Sequence, residues 1–171
     1  MIIGTLKETN DKECRVAISP ESCKRLTDLG HTVLIENNAG VNSSFSNTSY
    51  EKAGGKLIAD KSNIVNKVDI LLSVTSIPDE KTLESSNKNL ILVGTFNPYE
   101  NFKNLNRCAK RNMNVISLDL LPRISRAQTM DVLSSQANLA GYKAVIESFS
   151  IFEKAIPMMM TAAGTIPAAK V

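Results

Sequence analysis

Along the first two thirds of the chain, short apolar runs alternate with longer segments of helical character. Met1–Leu6 (MIIGTL) reads as a buried strand. Pro20 opens a helix that runs through Leu29, with Ser19 as its N-cap, Glu21 in the first turn and Gly30 as its stop. Thr32–Glu36 (TVLIE) is a second strand that runs into the turn sequence NNAG. The Ser/Asn stretch from Asn42 to Ser49 reads as a loop, and Tyr50–Ala53 begins a short helix. Gly55–Ala59 is a weak strand, and Lys61–Asn66 is one helical turn. Asp69–Val74 and Leu90–Thr95 are apolar without alternation and bounded by turn residues, the pattern of strands buried on both faces. Tyr99–Arg111 reads as a helix and Asn114–Leu118 as the last strand of this region. The β-α-β alternation predicts an α/β fold: a mainly parallel sheet flanked by helices, with right-handed crossovers.

The pattern changes after Pro122. From about Thr129 to about Lys154 it is helical for longer than an average helix, and Pro157 breaks it. Ser134, Ala137, Gly141, Ala144 and Ser148 recur three or four residues apart, a seam of small side chains that lets another backbone come close. The plain reading of that seam is helix packing. The chain closes with MMMTAAGTIPAAKV. The expected organisation is an N-terminal α/β domain over 1–125, a loop and long linking helix over 126–156, and the start of a further domain over 157–171.

Composition narrows the function. With 43% hydrophobic residues, 22% charged residues and a net charge of +3, the chain can build a core and has no basic block of the kind a nucleic-acid binder gathers on one face. Its three cysteines, Cys14, Cys23 and Cys108, have no metal-ligand spacing and read as free thiols of a reducing compartment. The N-terminus turns polar too soon for a signal peptide, and no apolar run approaches the roughly 20 residues that span a bilayer. A cytoplasmic protein is expected. The lone His31, in a turn before a strand, reads as a surface residue, and Cys108 as helix packing.

Chemistry concentrates in PRISRAQTMDVLSSQANLAGY, Pro122–Tyr142, where Arg123, Arg126, Gln128, Asp131 and Ser134 precede or open an apolar helix. On composition alone this is a solvated loop and a capped helix. The sequence, however, resembles a known family. Lys7-Glu8 with ECRVAISP (Glu13–Pro20) resembles the opening of the alanine dehydrogenase/transhydrogenase superfamily. The 122–142 stretch resembles the nicotinamide-contacting loop and helix of the alpha subunits of proton-translocating NAD(P) transhydrogenases. The closing stretch is similar to the segment just before their Rossmann glycine motif.

The resemblance implies a Rossmann-like N-terminal domain whose cofactor contacts fall on Arg123, Ile124, Ser125, Arg126, Gln128, Asp131, Ser134 and Val171, with no catalytic acid or base and no metal. It implies NAD(H) at this subunit and NADP(H) on a partner. It also implies a downstream NAD-binding segment, membrane and NADP-binding subunits, a homodimer, no nucleic acid, and a cytoplasmic location peripheral to the inner membrane through those partners. A Gln amide complements the donor and acceptor of a carboxamide, a carboxylate biases the redox form of the ring, and an Arg beside that carboxylate holds the loop.

Two rivals remain. An alanine dehydrogenase-like oxidoreductase needs a Lys on the fourth strand and a His after the fifth, where this chain has Ser73 and Asn97, which leaves Arg15 a structural residue. A non-catalytic remnant serving as an assembly module would keep the same loop. No G-x-G-x-x-G occurs in the sequence, and the chain is expected to stop short of that motif, inactive by itself.

Overall fold

The computed structural model describes residues 1–170, which group into two units, Met1–Pro122 and the residues from Arg123 onward. The first is an α/β unit whose strands are β1 (Ile2–Thr5), β2 (Thr32–Glu36), β3 (Lys56–Ile58), β4 (Ile70–Leu72), β5 (Ile91–Gly94) and β6 (Asn114–Ser117). They form one six-stranded sheet in the order β3-β2-β1-β4-β5-β6, and every pairing is parallel. The expected parallel α/β architecture is what the structure has. The chain winds outward through β2 and β3, then returns to the other side of β1, so the strand order reverses between β1 and β4. In open α/β sheets ligand crevices lie at such a switch point, beyond the carboxyl ends of the strands.

Period-two alternation along buried strands feeds two cores, one on each face. In β2, Val33 and Ile35 join Ile3, Ile18, Cys23 and Tyr50 on the side of α1 (Pro20–Asp28) and α2 (Asn47–Lys52). Leu34 points the other way, into a cluster with Ile64, Val65, Leu71, Leu83 and Leu92. That cluster is closed by α3 (Lys61–Lys67), α4 (Glu80–Glu84) and α5 (Phe102–Lys110). Gly4 permits the tight approach of α3 to β1: a Cβ there would lie 2.7 Å from Val68 Cγ1 and 2.9 Å from Ile64 Cγ2.

Local signals act as expected in α1. Ser22 N–H donates to Ser19 Oγ at 3.1 Å, and Gly30, at φ +84°, lets the His31 N–H reach back to the Leu26 carbonyl at 3.1 Å. Elsewhere the structure departs from the sequence reading. Part of the Ser/Asn stretch is helical: α2 starts at Asn47, because Ser46 Oγ accepts from Ser49 N–H at 3.2 Å. The five-residue α4, capped by Asp79 Oδ1 on Thr82 N–H at 2.9 Å, is too short to show a periodicity. α5 begins at Phe102 rather than Tyr99, since Asn97 adopts φ 44° and turns the chain first. His31 is partly buried rather than on the open surface.

In the second unit a 3-10 helix over Ser125–Met130 leads into α6 (Val132–Ile151), a single helix that passes Gly141 unbroken. It stops at Phe152, which is extended at φ −74° and ψ 118°, a few residues before the expected Lys154. A Cβ at Gly141, in the middle of that helix, would meet nothing within 4 Å. The closing stretch forms an antiparallel hairpin, β7 (Met159–Thr161) with β8 (Gly164–Ile166), which the sequence reading did not foresee.

Candidate functional site

Within the first unit, polar groups converge beyond the ends of β1 and β4. Glu8, 9% exposed, projects its carboxylate into the turn that follows β4. Oε1 accepts from Val74 N–H at 2.7 Å, and Oε2 accepts from Thr75 N–H at 3.1 Å, Ser76 N–H at 2.9 Å and Thr75 Oγ1 at 3.2 Å. Ser73 Oγ lies 2.9 Å from Oε1 and 2.6 Å from the Ser76 carbonyl, so its one proton serves one acceptor at a time. Thr9 N–H and Oγ1 both reach Ser76 Oγ, at 3.0 and 3.1 Å, and join the same two loops. β4 ends at Leu72 as the Val74 N–H turns to Glu8. A cavity of about 160 Å³, lined among others by Lys7, Glu8, Thr9, Ser73, Ser76 and Pro78, opens beside these groups.

The positions where an amino-acid dehydrogenase needs its acid-binding and polarising groups are engaged differently. Ser73 serves Glu8. Asn97 donates its N–H to Asp119 Oδ2 at 2.7 Å and its amide to Glu100 Oε2 at 2.7 Å. Glu13 holds the Arg15 guanidinium, with Nε to Oε1 at 2.8 Å and Nη2 to Oε2 at 2.7 Å. The guanidinium hydrogen bond holds the Glu13 carboxyl below the usual carboxylate range, and the same contact raises Arg15. Among the described residues no cluster of His, Cys, Asp or Glu is arranged to hold a metal.

In the second unit, the 3-10 helix brings most of the sequence-predicted residues into one short stretch. Ala127 is buried, its N–H donating to the Ile124 carbonyl at 2.9 Å, while Arg123, Ile124, Ser125, Arg126 and Gln128 are exposed around it. Among the described residues, the side chains of Arg126 and Gln128 take up no hydrogen bond, which leaves an amide and a guanidinium open to a ligand. Asp131 caps α6: its carboxylate accepts from Ser134 N–H at 2.9 Å and from Ser134 Oγ at 2.6 Å. Those Ser134 hydrogen bonds hold Asp131 below the usual carboxylate range, and Arg123 adds a weaker attraction across space. Arg123 is therefore a minor partner of this carboxylate, and Ser134, expected as a ligand contact, is its main one. Val171 lies outside the described residues.

Sequence reasoning singled out the 123–134 loop but gave Glu8 no role of its own. The available signal was a carboxylate just past a buried strand, together with the hydroxyl-rich SVTS after another. Only the strand order puts the two together.

An NAD(P) transhydrogenase subunit alpha from Cereibacter sphaeroides is 39% identical over 171 residues, spanning 100% of this chain and 32% of that protein. The crystal structure of transhydrogenase from Sinorhizobium meliloti superposes with a TM-score of 0.89 at 40% identity, over 99% of this chain and 50% of that one. Alanine dehydrogenase 1 from Staphylococcus aureus is 30% identical over 146 residues, 85% of this chain and 38% of that protein. The chain thus spans half or less of the length of each of these relatives. Residues 4–140 match the family model described as "Alanine dehydrogenase/PNT, N-terminal domain", and the chain belongs to that family.

Proposed function

We propose that this chain is the NAD(H)-side portion of a proton-translocating NAD(P) transhydrogenase, with the 123–134 loop contacting nicotinamide. The observation that carries the reading is the chemistry of that loop: an exposed Gln128 amide and an exposed Arg126 in the same short stretch as Asp131, a carboxylate held ionised by its cap. These groups fit a nicotinamide end. Gln128 complements a carboxamide, Asp131 biases the charge of the ring, and Arg123, Arg126 and the 124–125 backbone border a ribose or pyrophosphate. NAD(H), when bound, supplies or accepts the hydride. The protein's role is to position and to tune electrostatics, with no acid or base required. Ser73 and Asn97 stand where an amino-acid dehydrogenase needs Lys and His, and they are engaged with Glu8, Asp119 and Glu100, which argues against amino-acid oxidation.

In this reading 1–125 is the supporting α/β domain, 126–156 the loop and linking helix, and 157–171 the opening of the NAD-binding domain. The glycine turn for the pyrophosphate belongs to a downstream segment, so the isolated chain is expected to bind NADH weakly or not at all. NADP(H) sits on a partner subunit, a membrane subunit couples hydride transfer to proton movement, and the whole is a dimer held peripherally at the inner membrane. Among the described residues no helix is long and apolar enough to cross a membrane.

The test is single-turnover hydride transfer in a complex rebuilt with the downstream and partner segments. Gln128→Leu keeps the volume and removes the amide; Asp131→Asn keeps the shape and removes the charge. Each is expected to lower the rate by about ten- to a thousand-fold, with NADH affinity changed far less. Unaltered transfer in both variants would reduce the loop to a structural cap.

A further inference from the structure

The switch-point crevice of the first unit carries an arrangement that the nicotinamide reading does not use. Three consecutive backbone N–H groups, of Val74, Thr75 and Ser76, point at one carboxylate together with the Thr75 and Ser73 hydroxyls. Consecutive N–H groups of this kind form an anion-binding concavity, and hydrogen bonds to an ionised acceptor are stronger than neutral ones. No Lys or Arg donates in these hydrogen bonds; Arg15 attracts the Glu8 carboxylate across space, and the direct contacts are backbone and hydroxyl dipoles. Its occupant is Glu8, 65 to 68 residues away in sequence.

We propose that the turn after β4 is a carboxylate-binding site with Glu8 as its resident, intramolecular ligand, and that it takes a small free carboxylate once that side chain is removed. Without the Glu8 carboxylate, the Val74, Thr75 and Ser76 N–H groups lose their acceptor, a costly state for partly buried donors. The neighbouring cavity, whose walls already include Glu8, Ser73 and Ser76, supplies both room and a way in. With Glu8 in place the donors are satisfied and the crevice is closed to free acids. The inference is independent of the nicotinamide loop, and its failure would leave that reading untouched.

The experiment uses the full chain, with thermal unfolding followed by circular dichroism while sodium formate or acetate is titrated against sodium chloride at matched ionic strength. Glu8→Ala is expected to melt several degrees below the wild type. Formate at ten times its Kd should then shift the folding equilibrium by about tenfold towards the native state. The wild type, whose site is filled, should respond no more than it does to chloride. Glu8→Gln, which fills the space but turns an NH₂ towards donors, should melt lower than wild type and ignore formate. If Glu8→Ala is unfolded at room temperature, the same titration reads recovery of the helical signal. The proposal is overturned if formate acts on Glu8→Ala only as chloride does, if wild type gains as much as the variant, or if Glu8→Gln melts with the wild type.

Discussion

Gly4→Ala tests the packing that brings the switch point into being. Gly4 sits inside β1, one residue before its end, and pairs with Leu34 on one side and Leu71 on the other. Its backbone conformation is one that alanine adopts freely, so the substitution alone would gain a few tenths of a kcal/mol to about 1 kcal/mol by restricting the unfolded chain. Against that, the new Cβ would meet Val68 Cγ1 at 2.7 Å and Ile64 Cγ2 at 2.9 Å, both on fully buried side chains. Overpacking of this kind costs about 1–3 kcal/mol, so the net effect is a loss of up to about 2.5 kcal/mol, centred near 1 kcal/mol. Urea unfolding should show a lower midpoint with an unchanged slope. Val68→Ala removes the nearer of the two obstacles. The double variant should therefore lose less than the sum of the single losses, with a coupling of about 1 kcal/mol. A Gly4→Ala protein as stable as the wild type, with no coupling to Val68, would refute the close approach of α3 to β1.

Two further outcomes follow from the side-chain environments. Asp79 pairs with Lys61 and caps α4, contacts that hold its carboxyl down at about 2. A depressed folded-state value stabilises above the unfolded value near 4, and that contribution is lost as pH falls through about 2. Asp79→Asn should thus be less stable than wild type at neutral pH and converge with it across that acid range in melts. The gap should be small, because the paired side chains are 43% and 51% exposed and solvent screens them. Cys14 is exposed, whereas Cys23 and Cys108 are buried, and burial pushes both of their thiols up. A thiol-alkylating reagent should therefore label Cys14 first in the native protein and all three cysteines in denaturant, as read by mass spectrometry. Fast native labelling of Cys23 would refute the packing of α1 on the sheet.

Much of the architecture was legible in the linear chain because its causes are local. Alternating apolar runs and the caps at Ser19 and Gly30 mark strands and α1 within a few residues of where they lie. The 123–134 loop stood out by its density of polar groups, its reading as a cofactor contact rests on the family resemblance, and Asp131 at the head of α6 is a capping signal readable from neighbours three residues apart. The sequence missed short or competing elements. Five residues of α4 carry no period, and in the Ser/Asn stretch several residues could cap a helix, of which only Ser46 does so for α2. The β7–β8 hairpin hid in a stretch that reads equally well as one extended strand.

What the sequence by itself determined is a parallel α/β unit followed by a long helix with a polar loop at its head, since hydrophobic period and capping act over a single turn or strand. What only the tertiary structure decided is which strand ends meet. The order β3-β2-β1-β4-β5-β6 sets Lys7–Thr9 against Ser73–Ser76, brings Glu8 to donors on a turn far along the chain, and leaves Ser73 and Asn97 occupied. A hydrogen bond reaches about 3 Å whatever the separation in sequence, so its partners are settled by the path of the folded chain and not by the residues that flank them.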